Sequence, residues 1–88
     1  MIHQLKCWPE YFQAVKYELK KFEIRKEDDR IYTTGDFLDL HEWSPETESF
    51  TNEKPIRRVV TYVLRGQPFL PDGYVCMSLG FVSMKEGE

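Results

Sequence analysis

A small, mainly β domain with one main helix is what this sequence predicts, and three observations carry the prediction. Segments at Phe22–Arg25, Ile56–Leu64 and Tyr74–Phe81 either alternate apolar with polar residues or concentrate β-branched and aromatic ones, as half-buried strands do. Only one stretch, Pro9 to about Glu18, repeats apolar residues at helical spacing. The chain has 88 residues, room for one domain (residues 1–88) and one modest core. One helix and about five short strands fit a small α+β barrel, the helix covering an open end. Closure of this kind also removes exposed strand edges.

In chain order, Ile2–Cys7 reads as the first strand, with His3, Leu5 and Cys7 on one face and Ile2, Gln4 and Lys6 on the other. Trp8-Pro9 then turns the chain, and proline suits a first helical position because that N–H has no partner anyway. The helix places Tyr11 or Phe12, Val15 and Leu19 on one stripe. That stripe reads as core packing rather than as a base-stacking platform, since a helix this short must bury one face. The second strand, Phe22 to Lys26, is expected to send Phe22 and Ile24 inward and Glu23 and Arg25 outward. Glu27-Asp28-Asp29-Arg30 is a charged loop, and Thr34-Gly35-Asp36 a turn. A third strand, Phe37 to Trp43, opposes Leu38 and Leu40 to Asp39 and His41. Ser44–Ser49 is a hairpin loop. Ile56–Leu64 is the strongest β segment, Gly66–Gly73 a second loop, and Tyr74–Phe81 the last strand, with Val75, Met77, Leu79 and Phe81 inward. The tail from Ser83 is expected to fray. The predicted core is Phe22, Ile24, Leu40, Val59, Val63, Val75, Met77 and Leu79.

Apolar residues make up 41% of the chain and aromatics 15%, too many for a disordered segment. A net charge of −3 argues against strong non-specific binding to a phosphate backbone. Any basic patch must come from the fold separating Lys16, Lys20, Lys21, Arg25, Lys26 and Arg30 from the acids among them. Cys7 and Cys76 are the only cysteines, without C-x-x-C spacing, and read as free thiols; no metal site and no cofactor are expected. His3 and His41 read as hydrogen-bonded structural residues. The start Met1–Lys6 lacks the apolar run of a signal peptide, and nothing reaches transmembrane length. A soluble, cytoplasmic protein without a membrane partner is expected, its oligomeric state left open.

Chemistry concentrates between Glu18 and Asp36. Lys20-x-x-Glu23-x-Arg25, followed by Thr34-Gly35-Asp36, resembles the motif G-x-K-x-x-E-x-R of the ASCH domain, a small β-barrel family of the PUA-like superfamily associated with RNA. Glu18 stands where that motif has glycine. The resemblance extends through His3–Lys6, Trp8–Phe12, Leu40–Trp43 and Gly73–Val75, roughly residues 2 to 80, and is to the short bacterial and phage branch whose activity is not established. It implies a PUA-like barrel and a charged ligand cleft. In some small ASCH-like relatives, a lysine at the Lys20 position, a threonine at the Glu23 position and a later carboxylate hydrolyse the amide of acetylated cytidine. Here the lysine is kept and the threonine is absent.

Two functions follow as expectations. In the first, a cleft of Lys6, Lys20, Glu23, Arg25 and Arg30 binds single-stranded RNA or a nucleoside or nucleotide. Arginine would offer a bidentate fork, and Glu23 would accept from a base amino group. In the second, a small hydrolase acts on a modified nucleoside or RNA, with Lys20 and Glu23 as its acid–base pair. Glu23 beside Lys20 favours the charged ammonium, which suits holding a ligand better than attacking one. A third reading is a salt-bridged surface that only stiffens the barrel mouth. Period two puts Glu23 and Arg25 on one strand face and Lys20 on the other, so Lys20 joins them only if the chain turns before Phe22. Lys21 is the in-register alternative, and the resemblance selects Lys20.

Overall fold

The computed structural model describes residues 1–82, so the expected fraying from Ser83 lies outside the described residues. Its elements run β1 (Ile2–Cys7), α1 (Pro9–Lys16), β2 (Phe22–Lys26), β3 (Phe37–Ser44), β4 (Ser49–Phe50), β5 (Ile56–Arg65) and β6 (Tyr74–Phe81). Among the described residues the fold is mainly β with one helix, and the strands are six rather than about five. They form one sheet in the order β1-β3-β5-β6-β2, with β4 paired to β3. β1 lies parallel to β3, and the other neighbours are antiparallel. The path ends on β1 and β2, which share no backbone ladder among the described residues. The additional strand, β4, is only two residues long and arises because the hairpin loop is shorter than expected, so Ser49 pairs with Ser44.

The core is built from alternate positions of β1, β3 and β6 under one face of α1. Phe12 and Val15 on the helix meet Leu5, Leu38, Leu40, Val60, Val75 and Met77, all buried. Leu40, Val75 and Met77 are thus core as expected, and Leu79 and Val63 pack partly against it. On β5 the fully buried residue is Val60 instead of Val59. A register shift between Val60 and Tyr62 explains why Val60 and Val63 both turn inward: a bulge inserts one residue and reverses the alternation beyond it. Phe81 also departs from expectation, standing 62% exposed at the sheet's end with the Arg58 guanidinium 4.8 Å from its ring.

The largest correction concerns β2. Phe22 and Ile24 are 44% and 47% exposed, whereas Glu23 is 4% exposed. Alternation shows which residues share a face but not which face is inward. The ladder to β6 decides it, because Glu23 pairs with Met77 and Arg25 with Val75, the two fully buried residues of that strand.

Helix α1 stops at Lys16, two residues earlier than predicted, and Leu19 is consequently exposed. The ending is a Schellman turn: Glu18 N–H donates to the Val15 carbonyl at 3.0 Å, and Leu19 N–H to that of Ala14 at 2.8 Å. Such a turn needs a left-handed residue, and Glu18 supplies it at φ 63°. Glu18→Gly should therefore stabilise the protein by about 0.5–1 kcal/mol, the left-handed penalty of a side chain less the extra unfolded-state entropy of glycine. Urea unfolding measures this, and a loss of stability would show that the Glu18 side chain holds something the turn geometry does not reveal.

Asp36 anchors the entry to β3. It bonds His3 Nε2 at 2.9 Å and the Thr33 N–H at 3.0 Å. Burial by itself would raise this carboxyl, but bonds from His3, Thr33 and the N-terminus hold it below the usual aspartate value. Two acids of the charged loop are similarly bonded, Glu27 by Arg65 and the Tyr32 N–H, and Asp29 by Arg30.

Candidate functional site

A cavity of about 550 Å³ opens in the gap between the end of β1, the start of α1 and the edge of β2. Three local features build its rim. Pro9 begins α1, and the Trp8 carbonyl accepts from Tyr11 N–H at 3.0 Å and Phe12 N–H at 2.8 Å, so Trp8 and Tyr11 stand one helical turn apart. Their rings lie 6.4 Å apart at 24° to each other, both about half exposed. The Schellman turn then redirects the chain and brings Lys20 alongside β2. Finally, the inward parity of β2 turns Glu23 and Arg25 toward the gap.

These three side chains form one bonded unit. Lys20 Nζ donates to Glu23 Oε1 at 2.7 Å and to the Phe22 carbonyl at 2.7 Å. Arg25 donates to Glu23 Oε2 through Nε at 2.9 Å and Nη2 at 2.6 Å. Nη2 also reaches the Lys6 carbonyl at 2.8 Å, linking β2 to β1 across the gap. Glu23 is thus satisfied by a cation on each oxygen, the condition under which a carboxylate tolerates burial. One ammonium proton of Lys20 and both protons of Arg25 Nη1 have no partner among the described residues. Two cations against one carboxylate leave the unit with a net positive charge.

Of the expected binding residues, Lys6, Lys20, Glu23 and Arg25 line the cavity and Arg30 does not. Arg30 instead grips Asp29, both nitrogen–oxygen distances being 3.2 Å. The Lys6 ammonium lies 4.5 Å from the centre of the Trp43 ring. The Lys20 parity difficulty disappears because Lys20 precedes the strand and reaches back through the turn. Cys7, Trp8, Tyr11, Phe22 and Ile24 complete the lining, and sequence reasoning assigned none of them to a site. Helical spacing left Tyr11 and Phe12 as alternatives for one core position; Phe12 fills it, and that frees Tyr11 for the cavity. Burial pushes the Cys7 thiol up to about 11, with the nearby Glu23 charge adding to the shift, so at neutral pH it is a protonated wall group.

Among the described residues no group of three or more His, Cys, Asp and Glu side chains is arranged to hold a metal ion. None of their helices is long and apolar enough to cross a membrane. A family described as a domain of unknown function, DUF3850, matches residues 2–79, and the chain belongs to that family. No curated protein matches it.

Proposed function

We propose that this DUF3850 domain is an ASCH-like module that binds RNA or a nucleotide in the cavity between β1, α1 and β2. The observation that carries the reading is the union of two surfaces in one cavity. Lys20 and Arg25 present free N–H donors from a unit of net positive charge, and the Trp8 and Tyr11 rings stand beside them. Cations and an aromatic wall are what phosphate and base require, respectively. The ASCH resemblance gains support from Glu18, because the motif's glycine position coincides with a left-handed residue here. A PUA-like barrel belongs to the same proposal, supported by the Arg25 bond that spans the two sheet ends. The hydrolase alternative draws no comparable support, since Glu23 already accepts on both oxygens and the Cys7 thiol is held protonated.

Lys20→Ala and Arg25→Ala should each weaken binding of short single-stranded RNAs and nucleoside monophosphates tenfold or more, while Lys21→Ala leaves it unchanged. Fluorescence titration at two salt concentrations, with thermal melts of the same variants, makes the test. Affinity independent of salt would remove the phosphate contacts. Variants that melt early while no nucleotide binds even the parent protein would leave a purely structural ion-pair network. Loss of binding in Lys21→Ala with Lys20→Ala intact would reverse the choice of lysine.

A further inference from the structure

The reversed parity of β2 begins a surface that continues beyond the cavity. Phe22 and Ile24 point to the outer face of the sheet, and the ladders carry that face onward through β6 and β5. Phe22 is level with Ser78, and Ser78 with Tyr62; Ile24 is level with Cys76, and Cys76 with Leu64. Tyr62 is 65% exposed and Leu64 39%. Neighbouring strands lie about 4.8 Å apart, which places Phe22 and Tyr62 about 10 Å from each other across β6. Two rings flanking Ser78, with Ile24, Cys76 and Leu64 in the next row of the same face, thus lie on one surface.

We infer that a single-stranded RNA runs from the cavity over the edge of β2 onto this outer face, with Tyr62 as a second stacking platform. The inference rests on the nucleotide-binding reading of the cavity and extends it from one nucleotide to a strand. Continuity is the first support. Phe22 and Ile24 line the cavity and also begin the outer face, so no barrier separates the two surfaces. Charge is the second. Lys20 has its ammonium 4.9 Å from the centre of the Phe22 ring, and Lys26 follows Ile24 on the outer parity, level with Tyr74. Cations therefore stand at both ends of the β2 crossing. The only acid within β2, Glu23, is buried and held by Lys20 and Arg25. A backbone of phosphates meets cations there, and bases meet ring faces, the combination that single-strand binding uses.

The test compares a nucleoside monophosphate with a six-nucleotide single-stranded RNA in fluorescence titrations. The hexamer should bind the parent protein at least tenfold more tightly. Tyr62→Ala should remove about tenfold of the hexamer affinity, the effect of losing one stacked base, and leave monophosphate binding unchanged. Lys26→Ala should flatten the salt dependence of hexamer binding alone. Equal affinity for both ligands, together with an inert Tyr62→Ala, would overturn the strand path while leaving the cavity as a mononucleotide site. Binding of neither ligand would overturn both readings. Self-association that Tyr62→Ala abolishes, seen by sedimentation, would make the outer face a contact between two copies and would also overturn the inference.

Discussion

Glu23→Ala should lower folding stability by about 2–4 kcal/mol and abolish nucleotide binding, the largest combined loss expected of any single change. Removing this carboxylate leaves Lys20 and Arg25 without their shared partner, with side-chain exposures of only 18% and 24%. A broken buried ion pair costs more than the pair contributes, because the partners left behind remain desolvated. Partial exposure of both cations keeps the figure below that of a fully buried site. In a domain of this size the melting temperature should fall by about 10 °C or more. Glu23→Gln should recover only part of the loss, since an amide cannot accept from both cations. The informative comparison is the triple variant Lys20→Met, Glu23→Leu, Arg25→Met. Replacing a whole buried network by apolar groups is often neutral or stabilising, so this protein should regain much of the stability and still bind nothing. Triple-variant stability far below that of Glu23→Ala would show that the network exists to hold the fold.

Much of this architecture was legible because most strands have one strongly apolar face. β1, β3 and β6 alternate as the sequence predicts, and the buried residues Leu5, Leu38, Leu40, Val75 and Met77 lie at the expected parity. β2 was not legible in the same way. Its two candidate faces, Phe22 with Ile24 and Glu23 with Arg25, differ sharply in hydropathy, and transfer energies alone select the wrong one. What overrides them is non-local: the pairing of Glu23 with Met77, and two cations that neutralise a buried carboxylate. The bulge at Val60–Tyr62 is hidden for the same reason, since nothing in a run of β-branched residues marks where a residue will be inserted. At the site, the motif located Lys20, Glu23 and Arg25, whereas the aromatic wall depended on which of Tyr11 and Phe12 the core would take.

That choice gives the sharpest contrast between adjacent residues. Phe12 is fully buried and Tyr11 45% exposed, although they are neighbours on α1. Phe12→Ala should cost about 3–5 kcal/mol, the lost transfer energy plus the cavity it leaves beneath the helix. Against a total stability of about 4–13 kcal/mol for a chain of this length, that loss removes from about a quarter of the stability to all of it. Tyr11→Ala should change stability by about 1 kcal/mol or less, because its ring rests against Trp8 at the cavity rim rather than in the core. Its effect should fall on the ligand instead, with nucleotide affinity reduced about tenfold through loss of a stacking face. Urea unfolding and titration on both variants separate the two roles. If Tyr11→Ala destabilises as much as Phe12→Ala, the whole aromatic stripe is core. If it changes neither stability nor affinity, the aromatic wall takes no part in binding, and recognition must rest on the Lys20–Glu23–Arg25 unit alone.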